Sequence, residues 1–356
     1  MTLAPVLERL GLRHPIIQAP MAGVATPELA AAVSNAGGLG SLGLGASSPA
    51  QAQQMITATR ALTAQAFNVN VFCHRPARRD DAREAAWLAH LAPLFSAMGT
   101  KVPETLNEIY RSFLVDAAMF EVLLDLRPAV ISFHFGLPSA PQIEALHAAG
   151  IVLMATATQP DEAQRLAAAG IDLLIAQGME AGGHRGLFDT DAVDAGLSTS
   201  VLTRLFVHQT SLPIIAAGGI MDGAGLSAAL ALGAVAAQLG TAFILCPESA
   251  ADAGYREALL SPRAAMTRLT DALSGRPARA IVQGFINATA SGPRPADYPL
   301  AYDAAKQLHR LASLRGSQEF AAHWAGQGAP LARSMPAADL VATLVAEWQA
   351  AGRCDG

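Results

Sequence analysis

Short hydrophobic runs alternate with Ala- and Leu-rich stretches over the first 250 residues of the chain. The runs, which we predict as strands, are residues 15–21, 39–45, 66–73, 129–135, 151–157, 172–178, 213–219 and 234–240. Helical patterns follow at 27–36, 49–61, 140–149, 160–169, 200–209 and 224–232. Gly150, Gly170 and Gly233 each end a predicted helix directly before the next strand. This alternation is typical of parallel βαβ units.

Eight strands in order favour an α/β fold of the (β/α)8 TIM-barrel type. An open doubly wound sheet stays possible, because a strand count read from sequence can be off by one. Two segments do not fit the repeat and are predicted to add a helical substrate-binding or lid region to the barrel. We assign 1–100 and 126–248 to the barrel, 101–125 and 249–335 to the helical region, and 336–356 to a C-terminal helix that returns to the barrel.

Composition and charge narrow the class of protein. The 356 residues are 52% hydrophobic and 5% aromatic, and the net charge is −5. The acidic balance, without a basic run, argues against nucleic-acid binding. The uncharged stretch 223–247 contains several glycines and Gln238, so it indicates a buried helix and strand, and we expect no membrane span. Three cysteines without a CxxC pair, and an N-terminus carrying Glu8 and Arg9, predict a cytoplasmic protein.

Glycines and neutral amides collect at the predicted carboxyl ends of the strands, where barrels place their active sites. Gly218-Gly219 and Gly240-Thr241 end strands seven and eight and favour phosphate binding, although glycines also simply end strands. The amides are Gln18, Asn70, Gln177 and Gln238. Amides suit the polar edge of an isoalloxazine ring, although each is also compatible with a hydrogen-bonded core group. We expect no metal site, because no HxxxH or HExxH spacing occurs.

Seven motifs in order along the chain carry a specific resemblance. They are QAPMAGV (18–24), NAGGLGSLG (35–43), NVNVF (68–72), SFHFGLP (132–138), AQGMEAGGHRG (176–186), AAGGI (216–220) and QLGTAF (238–243). With WAGQGA (324–329), they make the chain similar to the nitronate monooxygenases (once called 2-nitropropane dioxygenases), in particular to bacterial class I members.

This resemblance implies an enzyme and a cofactor. It implies an FMN-binding TIM barrel that oxidises alkyl nitronates, such as propionate 3-nitronate, with O2 to a carbonyl compound and nitrite. One-electron transfer to the flavin would begin the reaction, and no external reductant would be needed. The partners would be the nitronate and O2, and the protein would be a monomer or homodimer. An NAD(P)H-dependent quinone or enoyl reductase of the same barrel family, a non-redox FMN carrier and a flavin-free sugar-phosphate enzyme are the alternatives.

The site residues follow from the resemblance and from the strand ends. Those expected to bind the cofactor are Ala19, Pro20, Met21, Asn70, Gln177, Gly182, Gly183, Gly218, Gly219, Gln238, Leu239, Gly240 and Thr241. His184 matches the histidine that faces flavin and substrate, and His134 at a strand end is a second catalytic candidate. His184 would hold the nitro oxygens by a hydrogen bond or by charge, or remove a proton from a neutral nitroalkane.

The tyrosines point to the substrate end of the site. All four fall outside the eight predicted strands, and with one lysine they form the expected substrate-binding set of Tyr110, Tyr255, Tyr298, Tyr302 and Lys306. The last three have i, i+4, i+8 spacing, so on one helix they would share a face. Phenol hydroxyls beside an ammonium suit a small carboxylate-bearing substrate. An ordinary amphipathic helix face is the alternative interpretation.

Overall fold

The computed structural model describes residues 4–352, and all eight predicted strands lie in one parallel sheet. They are β1 Ile16–Gln18, β2 Gly40–Gly43, β3 Phe67–Phe72, β4 Val130–His134, β5 Val152–Ala157, β6 Leu173–Gln177, β8 Ile214–Ala217 and β9 Ala236–Leu239, where β7 is the two-residue strand Gly183–His184. The order is β1-β9-β8-β6-β5-β4-β3-β2, and a parallel bridge from Ile17 to Leu39 joins the two edges. The sheet therefore closes into the predicted barrel rather than staying open.

Helices surround the strands as the alternating pattern predicts. In chain order they are α1 Pro5–Arg9, α2 Pro27–Asn35, α3 Pro49–Leu62, α4 Asp81–Ala97, α5 Ala117–Leu126, α6 Ala140–Ala148, α7 Pro160–Ala168, α8 Thr199–Gln209, α9 Gly223–Ala231, α10 Ala253–Leu260, α11 Gly284–Ala288, α12 Leu300–Ser313 and α13 Ala337–Ala351. Local signals fix their starts: Ser48 and Gln51 form a capping box ahead of Pro49 in α3. Within residues 4–352, no helix is both long and apolar enough to cross a membrane.

The two ends of the barrel differ in how they are covered. At the amino ends of the strands, Leu7 of α1 and Leu12 pack with Val130, Val152 and Leu173 in one apolar cluster. This end is filled by aliphatic side chains that are almost completely withdrawn from water. A second layer lies over the carboxyl ends. We call this layer the cover; it is formed by α4 and by the segment from α10 through α12.

The packing divides the chain differently from the predicted boundaries. Helix α4, placed by the prediction in the barrel segment 1–100, buries Trp87 and Phe95 against Phe285 and Leu300 of the cover. Helix α5, placed by the prediction in the helical segment 101–125, buries Met119 and Leu123 in the barrel cluster instead. The apolar faces of the two helices decide this, so α5 is the barrel helix between β3 and β4. Residues 1–3 of the predicted barrel and 353–356 of the predicted last helix lie outside the described residues.

The sequence pattern indicates a helical cover, but the structure also contains strands there. Strands β10 Thr267–Thr270 and β11 Ala278–Ile281 form an antiparallel hairpin, and β11 also pairs with β7. Each strand has four residues and carries an arginine, so neither shows a hydrophobic run in the sequence. Through this small sheet the cover is hydrogen-bonded directly to the loop that bears His184. Helix α13 packs against α2 and α9 on the outside of the barrel.

Candidate active site

A cavity of about 270 Å³ lies between the carboxyl ends of the strands and the cover. The predicted residues that line it are Ala19, Pro20, Met21, Asn70, Tyr110, His134, Gln177, Gly182, Gly183, His184, Gly218, Gly219, Gln238, Gly240, Thr241, Tyr255, Tyr298, Tyr302 and Lys306. Residues more than 280 positions apart in the chain thus meet around one space. The arrangement is the one that barrels use for catalytic sites, because the strand ends hold loop residues rigidly.

Two of the residues that the sequence singled out lie elsewhere. Leu239, predicted to bind the cofactor, is 1% exposed and packs with Ile16 and Leu29 in the layer between strands and helices. Its neighbours Gln238 and Gly240 line the cavity, so strand alternation turns Leu239 away from it. Gln18 is fully buried, and its Oε1 accepts a hydrogen bond from the Ser41 amide at 2.8 Å. Gln18 is therefore a hydrogen-bonded core amide.

One end of the cavity is built from glycine backbone. Gly218 and Gly219 have φ values of +127° and +71°, which side chains rarely adopt. A Cβ on Gly182 would lie 2.5 Å from the backbone nitrogen of Gly326, so the two chain segments pass each other at glycine-only distance. The amide of Gly326 also donates to Thr241 Oγ1 at 3.0 Å. This end presents backbone rather than side chains to a ligand, which suits a phosphate group.

The start of α9 offers few free amides to this end of the cavity. The amide of Gly225 donates to its N-cap residue Asp222, and the amide of Gly223 donates to Glu347 Oε2 at 2.9 Å. Two of the amides that have no partner within the helix are therefore already bound by carboxylates. The Gly218-Gly219 turn is instead braced from behind by Thr199, whose Oγ1 lies 3.0 Å from the Gly218 carbonyl and 2.9 Å from Glu180 Oε2 and shares its one proton between them.

The amides that line the cavity are held in different ways. Gln177 is committed at both ends, because its Nε2 donates to the His184 carbonyl at 2.9 Å and its Oε1 accepts from the Gly186 amide at 2.7 Å. Asn70 donates to the carbonyl and the hydroxyl of Ser132. Gln238 Oε1 is buried and has no hydrogen-bond partner within residues 4–352. An unpartnered buried acceptor beside a glycine cradle fits a ligand with a hydrogen-bonding ring edge and a phosphate.

His134 supports its neighbour rather than reaching into open space. Its Nε2 lies 3.1 Å from the His184 carbonyl, and its Nδ1 lies 3.1 Å from Thr156 Oγ1. A carbonyl only accepts hydrogen bonds, so Nε2 carries the proton and Nδ1 accepts from the threonine. Burial lowers the pKa of His134 to about 4, although its bond to the His184 carbonyl opposes the shift. His134 is therefore neutral near pH 7, and its contact with the His184 carbonyl holds β7 in place.

His184 stands in an aromatic enclosure. Its ring is 5.6 Å from those of Phe135 and Tyr298 and 5.0 Å from that of Trp324, centroid to centroid. Its Nε2 lies 2.8 Å from Ser274 Oγ in the turn of the β10–β11 hairpin. Burial, with smaller contributions from His134 and Arg276, lowers the pKa of His184 to about 3. His184 was expected to hold nitro oxygens by a hydrogen bond or by charge. Because the ring is neutral near pH 7, only the hydrogen bond remains.

The tyrosines and the lysine form a second group of residues around the cavity. Tyr110 and Tyr302 lie 5.8 Å apart, and Lys306 Nζ stands 5.2 and 5.3 Å from their ring centroids. Tyr298 precedes α12, which begins at Leu300, so only two of the three residues spaced i, i+4, i+8 share its face. The Tyr298 hydroxyl is buried without a partner within residues 4–352, whereas the Tyr255 hydroxyl donates to the Trp324 carbonyl.

Several residues of the site were missed or misjudged in the sequence. Phe135 and Trp324 line the cavity and stand inside motifs SFHFGLP and WAGQGA, so their positions carried a signal. Ser274 carried none, because it lies in a hairpin that the pattern does not show. Arg185, inside motif AQGMEAGGHRG, was not singled out; it is 1% exposed, pairs with both oxygens of Asp194 and donates to the Gln177 carbonyl at 2.7 Å.

The fold and the site define a (β/α)8-barrel enzyme with a small-molecule cavity at the carboxyl ends of its strands. The family model described as nitronate monooxygenase matches residues 5–347. The chain is 57% identical to a nitronate monooxygenase from Paraburkholderia phytofirmans over 344 residues, 96% of this chain and 94% of that protein. It therefore belongs to the nitronate monooxygenase family, whose members are flavin-dependent oxidoreductases.

Solved structures agree with this assignment. The nitroalkane oxidase from Streptomyces ansochromogenes superposes with a TM-score of 0.91 at 40% identity, covering 99% of this chain and 100% of that one. FabK from Thermotoga maritima superposes with a TM-score of 0.74 at 28% identity, covering 99% and 98%. The barrel and its cover are thus similar in arrangement to both proteins.

Proposed function

We propose that the protein uses FMN to oxidise alkyl nitronates with O2 to a carbonyl compound and nitrite. The observation that carries this proposal is the division of one cavity into two chemically different ends. Glycine backbone and the free acceptor of Gln238 form one end, and phenol rings with Lys306 form the other. A phosphate-bearing planar cofactor suits the first end, and a small organic anion suits the second.

The residues that would hold FMN are those of the strand ends. Gly218, Gly219 and Thr241 would bind its phosphate, and Gln238 would donate or accept at the polar ring edge, since an amide offers both kinds of bond. Met21 lines the cavity beside Gly240 and would provide an apolar wall. When bound, the flavin supplies an acceptor for electrons from the nitronate.

The rest of the chemistry belongs to this chain's side chains. The neutral imidazole of His184 would orient the nitro group by hydrogen bonding, with its ring fixed by Ser274. The free hydroxyl of Tyr298 and the ammonium of Lys306 would hold a carboxylate, which makes propionate 3-nitronate the substrate that the cover fits best. The aromatic enclosure around His184 would exclude water from the reacting carbon.

A flavin reductase driven by NAD(P)H, the alternative that the resemblance leaves open, is the second candidate. The first test is the absorbance spectrum of the purified protein, with mass spectrometry of the released cofactor to identify FMN. The second is O2 consumption with propionate 3-nitronate and no NAD(P)H, which we expect to be rapid. Anaerobic bleaching of the flavin by NAD(P)H, together with no nitronate-dependent O2 uptake, would favour the reductase instead.

We also propose a cytoplasmic protein that is a monomer or a homodimer. The described cysteines Cys73 and Cys246 are buried free thiols, and burial raises the pKa of each. Reduced, unreactive thiols are typical of a reducing compartment. Light scattering coupled to size-exclusion chromatography measures the assembly, and a trimer or larger species would contradict it.

A further inference from the structure

A buried arginine stands behind the wall of the cavity without a carboxylate partner. Arg276 is 6% exposed and lies in the turn between β10 and β11. Its Nη2 donates to the Leu187 carbonyl, and its Nε has no hydrogen-bond partner within residues 4–352. Within residues 4–352, no carboxylate lies within ion-pair distance of Arg276. Asp297, Glu162 and Asp189 attract its guanidinium only at longer range.

The contrast with Arg185 shows how unusual this position is. Arg185 is buried to the same degree, but Asp194 binds its Nε and Nη2 at 2.9 Å each. A buried charge without such a partner is costly, because the protein does not replace the water that it gives up. The positive charge of Arg276 is therefore left for another group to compensate.

Two aromatic rings separate the guanidinium of Arg276 from the cavity. Its Cζ lies 4.2 Å from the ring centroid of Phe135 and 5.9 Å from that of Tyr298, and both rings line the cavity. The ring of Phe135 is held there by strained backbone, with φ of +74° at Phe135 and +151° at Gly136. A wall of rings screens a charge far less than water does, so the field of Arg276 extends into the cavity.

We propose that Arg276 is a specificity-determining residue that favours anionic over neutral ligands in the cavity, acting through the Phe135 ring rather than by contact. The inference rests on the proposed function in one respect, since a nitronate is an anion and its parent nitroalkane is neutral. The range of the field is supported by the histidines around it, because Arg276 contributes to the lowered pKa of His74, His134 and His184. Arg276 thus supplies positive charge to the site while His184 stays neutral.

The test measures binding of two probes to the purified protein with its cofactor bound. Nitrate is planar and singly charged, and nitromethane offers a similar planar group that is neutral at pH 7. Each is titrated anaerobically by its effect on the cofactor spectrum. In Arg276→Met we expect the Kd of nitrate to rise roughly tenfold, as for a charge some 10 Å away in a weakly screening interior, and that of nitromethane to stay unchanged.

Two controls separate charge from structure. Arg276→Lys keeps the charge and should keep the preference for nitrate. Arg165→Met removes a surface arginine that stacks on Phe188 at 5.0 Å, outside the cavity, and should leave both affinities unchanged. Nitrate should also raise the melting temperature of the wild type and of Arg276→Lys more than that of Arg276→Met, because a ligand stabilises the state that binds it.

The outcomes decide the proposal in either direction. Wild-type protein that binds nitrate no more tightly than nitromethane would overturn it, as would an Arg276→Met variant that keeps the preference. A changed cofactor potential with unchanged nitrate affinity would also overturn it, because the charge would then serve the cofactor. If Arg276→Met does not fold, Arg276→Gln replaces it in the same comparison. Selective nitrate binding without nitronate oxidation would contradict the proposed function and support the role of Arg276.

Discussion

The two ends of the cavity are built from opposite materials. Around Gly219 and Gln177, the groups that face the cavity are backbone segments and amides fixed by the barrel. In the cover, they are large aromatic side chains carried by a hairpin, a loop and a helix, as at Tyr298 and Tyr302. Gly218 and Gly219 on the first end cannot take a side chain without moving the backbone, whereas a side chain of the cover can be exchanged with little effect on the barrel. We infer that cofactor binding is set by the barrel and substrate choice by the cover.

The largest expected effect is loss of flavin when the glycine end of the cavity is disrupted. Gly219→Val places a β-branched side chain at φ +71° and 3.0 Å from Glu180 Cβ, so the turn must change its path. We expect purified Gly219→Val to have lost its flavin absorbance and with it all turnover. Gly150→Val is the matched control, because Gly150 has φ +81° but no atom near its missing Cβ and lies away from the cavity. Full flavin occupancy in Gly219→Val would contradict this division.

The next effect separates catalysis from cofactor binding. His184→Asn removes the imidazole that Ser274 orients, while leaving the strand ends untouched. We expect kcat/KM for a nitronate to fall roughly 100-fold or more with unchanged flavin content, as for loss of a positioned catalytic group. His208→Asn, at an exposed position on α8, is the control. Near-normal O2 uptake by His184→Asn would remove the catalytic role.

The sequence predicted the barrel end better than the cover for a physical reason. Strands that are buried on both faces leave long hydrophobic runs, and glycines at strand ends stand out against them, so Gly218 and Gly240 were found at once. The Leu239 side chain faces away from the cavity, because the side of a strand that a residue faces depends on register, which the hydrophobic pattern does not fix. The β10–β11 hairpin with Ser274 and Arg276 is short and mixed in polarity, and only tertiary packing shows that it reaches His184.

A third prediction concerns pH and the buried ring of His74, which contacts the rings of Phe135 and Tyr298. Burial, with help from Arg276, lowers the pKa of His74 to about 3, although the nearby backbone of Tyr110 opposes this. Its folded pKa lies below the unfolded value of about 6.5, so its contribution to stability is complete above pH 6.5 and is lost as pH falls toward 3. At pH 5 this loss is about 2 kcal/mol.

Denaturant unfolding at pH 7.5 and pH 5 measures this contribution. We expect His74→Gln to lose about 2 kcal/mol less than the wild type between the two pH values. His208→Gln, on the exposed face of α8, should lose as much as the wild type. Equal acid sensitivity of His74→Gln and wild type would show that His74 does not stay neutral in the folded protein.

The smallest expected effect is a change in KM when the lysine of the cover is replaced. Lys306→Met removes the ammonium beside Tyr110 and Tyr302. Since Lys306 is exposed at the cavity rim, we expect KM for propionate 3-nitronate to rise only about fivefold. KM for ethyl nitronate should change little. Lys101→Met is the control, because it changes the net charge equally at an exposed position that does not line the cavity. Equal effects of Lys306→Met on both substrates would mean that Lys306 does not bind the carboxylate.

Nitrite release is the measurement that tests the central claim most directly. Purified protein whose spectrum shows bound flavin is mixed with propionate 3-nitronate in air, without NAD(P)H, and nitrite and O2 are followed together. The division of the cavity into a flavin end and an anion end predicts nitrite formation that rises as O2 falls. Flavin-loaded protein that releases no nitrite and consumes no O2 under these conditions would contradict it.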